Sequence, residues 1–278
     1  MISLEGKLIA QGIFQKLKEE IAHKKLKLRL AVIVVGEDEA SRQYVGQKKR
    51  DAESVGIEIS IHPFPSSIST NALRDRVSEI VHYAPNTGVI VQLPLPETIN
   101  RQKIVDAVIP EKDVDVLSSH AFGKFMTGKS PVLPPMVGAI KTLLEEYNVS
   151  YRGSYAVVAG YGSLVGKPVS HWLMEQGCTV SIVHKETPHP EEFYRRADLI
   201  VTGANEAHIL TGDMIREGVA IIDAGTVIVD GKTYGNVVFD SVKEKAAFVS
   251  PVPGGVGRLT IATLLTNVVA LGSLGRDA

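Results

Sequence analysis

Tyr155-Ala156-Val157-Val158-Ala159-Gly160-Tyr161-Gly162-Ser163-Leu164-Val165-Gly166-Lys167-Pro168 reads as a buried strand, a glycine turn and the start of a helix. An apolar run of this length, closed by glycine, suits a parallel strand covered on both faces. Glycine after a strand lets the backbone approach a pyrophosphate, with the helix N-terminus facing the negative charge. The spacing, G-x-G-x-x-x-G, is one residue longer than the usual dinucleotide fingerprint, so a purely structural turn is the competing reading. Further strands are expected at Thr179–Val183, Leu199–Thr202 and Val219–Asp223. His184 and Lys185 stand where a carboxylate would grip an adenosine ribose, and Ala224-Gly225-Thr226 forms another strand end suited to ligand. Candidate cofactor residues are therefore Gly160, Tyr161, Gly162, Ser163, Val165, Gly166, His184, Lys185, Ala224, Gly225 and Thr226.

Upstream, the same alternation occurs. Strand-like runs at Leu30–Val35, Glu58–Ile61 and Gly88–Leu93 are separated by helix-like stretches at Asp38–Val55 and Asn71–His82. Such order predicts parallel βαβ units with right-handed crossovers, preceded here by an amphipathic helix over Lys7–Lys24. Asp38 can cap the helix that carries Ala40-Ser41-Arg42-Gln43-Tyr44-Val45-Gly46-Gln47-Lys48-Lys49, and Gly56 can end it. Spacings of three and four place Ser41, Tyr44 and Lys48 on one face. A ring beside an amine can stack on a flat ligand and deliver a proton; a packed ring beside a solvated lysine gives the same pattern. The third run ends in Val91-Gln92-Leu93-Pro94-Leu95-Pro96, whose prolines stop the strand and leave Gln92 at its carboxyl end. Glu111-Lys112-Asp113-Val114-Asp115 is a charge cluster of the kind usually found in solvated loops. Lys129–Pro135 suggests a linker into a helix over Met136–Tyr147. Phe248–Leu259 is too glycine-rich for regular structure and predicts a loop, followed by an apolar helix over Thr260–Leu271 that packs on the first domain.

Composition narrows the function classes. The 278 residues, 44% hydrophobic and 22% charged, supply material for two soluble domains. A net charge of −1 gives no electrostatic case for nucleic acid or an anionic membrane. One cysteine, Cys178, excludes an internal disulfide framework and a cysteine zinc cluster, and fits the cytoplasm. No signal peptide is visible, and Leu259–Leu274 is too short and too rich in Thr and Asn to span a bilayer. Eight scattered histidines without a His-Glu-x-x-His pattern make a protein-held metal unexpected.

Four stretches resemble, in order, the bifunctional methylenetetrahydrofolate dehydrogenase/methenyltetrahydrofolate cyclohydrolase (FolD) family. They are Ala40-Ser41 with Tyr44-Val45 and Lys48, Val91–Pro96, Lys112–Asp115, and Pro251-Val252-Pro253-Gly254-Gly255-Val256-Gly257. The resemblance spans nearly the whole chain. It implies two α/β domains with a cleft between them: residues 1–134, joined by the helix at about 258–278, for folate, and residues 135–257, of Rossmann type, for the cofactor. It implies hydride transfer from 5,10-methylenetetrahydrofolate to NADP, with NAD possible, then hydrolysis of the methenyl cation to 10-formyltetrahydrofolate. One-carbon and purine metabolism and a homodimer are implied with it. Lys48 matches the catalytic lysine, Gln92 its partner, Tyr44 the stacking ring and Asp115 the pterin-recognising carboxylate. Ser41, Leu93, Pro94, Pro253, Gly254 and Gly255 complete the implied substrate set.

The chain also departs from the pattern. Val116-Leu117-Ser118-Ser119 replaces Gly-Phe-His-Pro, Leu133-Pro134-Pro135-Met136 replaces Pro-Cys-Thr-Pro, Gly160-Tyr161-Gly162 replaces Gly-Arg-Ser, His184-Lys185 replaces His-Ser, and Arg258 replaces a proline. Lys185 is the expected phosphate-gripping charge, with poorer discrimination against NAD than an arginine fork would give. Three rivals follow: a cyclohydrolase with weakened dehydrogenase activity, a noncatalytic folate- or nucleotide-binding module, and a related dehydrogenase acting on shikimate or an amino acid.

Overall fold

Two parallel sheets organise the chain. The computed structural model describes residues 1–36, 39–229 and 232–274, without the side chains of residues 39–43 and 229. Asp38, the expected cap, lies outside the described residues.

In chain order the elements are β1 (Ile2–Ser3), α1 (Lys7–His23), β2 (Leu28–Val35), α2 (Glu39–Val55), β3 (Ile57–Phe64), α3 (Thr70–His82), β4 (Gly88–Val91), α4 (Arg101–Val105), α5 (Ser119–Met126) and α6 (Pro135–Glu146). There follow β5 (Tyr155–Ala159), α7 (Gly166–Glu175), β6 (Thr179–Val183), α8 (Glu191–Tyr194), β7 (Leu199–Thr202), β8 (Ala220–Asp223), β9 (Val227–Val229), β10 (Lys232–Tyr234), α9 (Phe239–Val242), β11 (Phe248–Val249) and α10 (Val256–Leu274). Two compact units divide them: Gly12–Pro135 with the chain from Ile261 onward, and Met1–Gln11 with Met136–Thr260.

The first unit is built on a three-stranded parallel sheet in the order β3-β2-β4. Pro63 sits in β3, an edge strand, where its missing N–H breaks no ladder on the open side. Ala31, Ile33, Val35, Val89 and Val91 pack with Leu73, Val77 and Val81 of α3 and with Ile104 and Val105 of α4. Ser69 starts α3 by accepting the Ala72 N–H at 3.2 Å. The long C-terminal helix α10 contributes Ile261–Leu274 to this unit, where the buried Asn267 Nδ2 donates to the carbonyls of Val114 and Leu133, each at 2.8 Å. At 19 residues α10 is longer than expected and, by length and composition, could cross a membrane. More than half of its apolar window is buried in the fold, as in a core helix.

The second unit is a six-stranded sheet ordered β1-β11-β8-β7-β5-β6, every pairing parallel. β5 lies between β6 and β7, so the chain reverses direction of progression at its carboxyl end, the usual place for a ligand in such sheets. Two expectations are corrected here. Residues 2–3 belong to this sheet rather than to the first: Ile2 N donates to Ala247 O at 2.7 Å and Leu4 N to Val249 O at 2.8 Å, with Leu4 fully buried. The stretch Phe248–Leu259 is not all loop, because β11 begins it and α10 starts at Val256. Two backbone donors make that possible: the Gly255 N–H is held by Pro251 O at 2.7 Å, and Gly6 N donates to Gly254 O at 2.9 Å.

Candidate active site

The sequence puts a lysine on α2 and a glutamine just past β4, and the fold joins them. Lys48 Nζ donates to Gln92 Oε1 at 2.9 Å. The strand ends two residues earlier than the Gly88–Leu93 reading, at Val91. Gln92 still ties its N–H to Ile33 O at 2.9 Å, and its Nε2 donates to Leu93 O at 2.7 Å. The amide orientation is thereby fixed, with the oxygen toward the lysine. Tyr44, one turn before Lys48 on the same face of α2, is 45% exposed, as a ring offered to a flat ligand must be. Ser41 lies on α2, but its side chain is outside the described residues.

Asp115 completes the group. Its charge and that of Lys48 act on each other: burial holds Lys48 below the ordinary lysine range, and Asp115 opposes this. Burial pushes Asp115 up to about 6, with Lys48 pulling it down and Asp113 pushing it up. A lysine that sheds its proton more readily, beside a carboxyl poised near 6, is the kind of pairing found where protons move.

Asp113 and Lys112 have different duties. Asp113 is buried and accepts the N–H of Leu117 at 3.0 Å and of Ser118 at 2.8 Å, folding the backbone into a tight turn around Asp115. Within that turn Val116 adopts φ = +56°, a conformation costly for a β-branched residue. Lys112 Nζ donates to Val81 O at 2.7 Å and Tyr83 O at 3.1 Å, closing the end of α3. So within the charge cluster that reads as a solvated loop, Glu111 stays exposed while Asp113 is a buried scaffold.

In the six-stranded unit the glycine turn is a backbone cradle. Gly160, at φ = +97°, lies so close to the next loop that a Cβ there would meet Gly203 O at 2.7 Å. A Cβ on Gly166 would stand 2.2 Å from Gly160 O. Val165 is buried beneath this turn, while Tyr161, Gly162, His184 and Lys185 are exposed around it. Donors and shape therefore fit a dinucleotide pyrophosphate. The strand-end residues Ala224 and Gly225 are held by Thr202 O and by the Asp223 carboxylate, at 2.9 and 3.0 Å. Thr226 is exposed beside them.

Sequence reasoning missed what holds that corner. Asp223 accepts from Thr202 Oγ1 at 2.9 Å and from the N–H groups of Gly225, Asn236 and Val237. The fully buried Asn236 in turn takes the Ala204 N–H at 2.9 Å and returns a donor to Ala204 O at 2.9 Å. The only local signal was an aspartate ending an apolar strand. A cavity of about 290 Å³ opens beside it, lined by Asp223, Gly235, Phe239, Ser250, Pro251 and Val252.

Residues 4–115 match the sequence profile of the tetrahydrofolate dehydrogenase/cyclohydrolase catalytic domain, and residues 134–274 that of its NAD(P)-binding domain. The chain belongs to the tetrahydrofolate dehydrogenase/cyclohydrolase family. It is 36% identical to the bifunctional protein FolD of Caldanaerobacter subterraneus subsp. tengcongensis, over 96% of this chain and 95% of that one. The crystal structure of FolD from Campylobacter jejuni superposes with a TM-score of 0.94 at 35% identity, covering 99% of both chains. The Trypanosoma brucei FolD, solved with NADP and an inhibitor, gives 0.95 at 30% identity, covering 100% of this chain and 99% of that one. As a member of this family the chain is an NAD(P)-binding, bifunctional enzyme of one-carbon folate metabolism.

Proposed function

We infer that Lys48, Gln92 and Asp115 carry the chemistry of 5,10-methylenetetrahydrofolate oxidation and of methenyl hydrolysis to 10-formyltetrahydrofolate. The observation that carries this is the Lys48–Gln92 hydrogen bond, which presents an amine of lowered basicity beside a half-buried carboxyl. Bound NADP supplies a hydride acceptor. Asp115 offers two acceptor oxygens to the adjacent N–H donors of a 2-amino-4-oxo ring, and Tyr44 offers the stacking face. In hydrolysis the neutral Lys48 amine takes a proton as water adds to the methenyl carbon; the ammonium returns it to the ring nitrogen as the C–N bond breaks, while the added hydroxyl loses its own proton to solvent and becomes the formyl carbonyl. Gln92 holds the amine in place through both steps.

Burial of Lys48 sets the pH dependence. The amine is the reactive form, so hydrolysis rises with pH as Lys48 deprotonates, at a pH below that of an ordinary lysine. Retention of a lysine that a mere binding module has no use for favours the enzyme over that rival. The deciding experiment is a coupled spectrophotometric assay with methylenetetrahydrofolate and NADP, then methenyl hydrolysis alone. Hydrolysis without oxidation would instead select the cyclohydrolase with weakened dehydrogenase activity. The same reading carries the division at residues 134 and 135 as the functional boundary, a homodimer, and a cytoplasmic location, the last supported by the lone buried Cys178. Sedimentation at micromolar concentration tests the dimer.

A further inference from the structure

Just past the glycine turn, Tyr161 presents a ring that is 47% exposed. A lysine and a histidine converge on it. Lys167 Nζ stands 5.5 Å from the ring centroid, and the His184 ring meets its edge at 6.0 Å and 80°. Lys167 belongs to the first turn of α7, whereas His184 directly follows β6, the neighbour of β5. That strand end is where doubly wound sheets hold the adenosine ribose. Tyr161 thus links the glycine turn to the ribose corner, and it carries an ammonium there.

The lysine is also unspent. Among the described residues Lys167 has no carboxylate partner, unlike Lys24, Lys124 and Lys243, each of which pairs with an acid at 3.1 Å or less. An ordered, unpaired ammonium costs side-chain entropy that a solvated one keeps, and the aromatic face offsets part of it. Lys185 is exposed without a ring or acid to hold it among the described residues.

Resting on the NADP reading above, we propose that Lys167, steadied by Tyr161, is the residue that recognises the 2′-phosphate of the cofactor, in preference to Lys185. Its point charge contacts the phosphate, His184 lies at the ring edge beside it, and the ring supports both. NAD lacks the phosphate and gains nothing from this lysine.

Calorimetry on the full chain tests it, using NADP, NAD, adenosine 2′,5′-bisphosphate and 5′-AMP as probes. Lys167→Ala is expected to weaken NADP and the bisphosphate by about 10- to 100-fold while changing NAD and 5′-AMP little. Lys167→Arg is expected to recover most of the loss, and Tyr161→Leu to lose a smaller part of it. Thermal melts of each variant establish that the fold is retained. Equal weakening of phosphorylated and unphosphorylated probes, no weakening at all, or a greater NADP loss from Lys185→Ala would each overturn the proposal. Wild-type protein that binds neither NADP nor NAD would bring down the cofactor reading itself, a distinct result.

Discussion

The two candidate sites are made of different material. On the three-stranded sheet the candidate working atoms are side chains: Lys48, Gln92 and Asp115 are partly or wholly buried, and Gln92 orients Lys48. On the six-stranded sheet the working surface is backbone, and the side chains around it are exposed. A buried amine has few acceptable substitutes, because its position, charge and proton affinity are all set by what surrounds it. A backbone cradle asks only for small residues at close approaches and tolerates variety at its rim. That contrast explains why the motif stretches around Lys48 and Gln92 stand intact while Tyr161 and Lys185 depart from the family pattern.

The comparison is broken most directly at Lys48. Lys48→Met is expected to reduce methenyl hydrolysis by roughly 10²- to 10⁴-fold while leaving a folate analogue bound nearly as in wild type. Hydrolysis close to the wild-type rate would remove Lys48 from the catalytic role. On the backbone side, Gly166→Ala should act without touching any chemistry. Its Cβ would sit against Gly160 O, so a loss on the order of 2–3 kcal/mol in denaturant unfolding is expected, with NADP and NAD both weakened. An unperturbed variant would show that the turn is not the tight structure described.

The neighbouring aspartates sharpen the distinction within one loop. Asp115→Ala should cost about 1.5–3 kcal/mol in folate-analogue affinity, whereas Asp113→Ala should act mainly on thermal stability by freeing the Leu117 and Ser118 donors. Calorimetry showing the reverse ranking would exchange their roles. The smallest effect concerns pH. Burial raises Asp115 from 3.8 to about 6, so folding favours the protonated acid. Its stabilising contribution is complete below about pH 4 and disappears as pH rises through 6. Asp115→Asn should therefore melt higher than wild type at pH 7, by about 2 °C, and no higher at pH 4. An equal difference at both pH values would mean that ionisation is not its cause.

Legibility followed the same division. β5 and β7 stand where the apolar runs predict them, because strands buried along almost their whole length are mostly apolar and a glycine follows each. The Lys48–Gln92 meeting was readable as two separate hints, a helical face and a proline-stopped strand. What could not be read depends on partners far away in sequence. β1 exists only because Ala247 and Val249 accept its donors, and Asp223 reveals its task only through Asn236, thirteen residues on. Val116 is a further case: nothing local marks it as left-handed, and the turn is imposed by the Asp113 carboxylate.

The pairing of β1 with β11 also bears on how the chain is made. The edge strand β1 has no partner until residue 248 has been synthesised. The three-stranded unit, for its part, awaits α10, whose Asn267 closes onto Val114 and Leu133. Each unit therefore waits for chain made long after it begins: β11 for the six-stranded sheet and α10 for the three-stranded one. A chain stopped before residue 248 would leave β1 unpaired and the carbonyls of Val114 and Leu133 without the Asn267 donor.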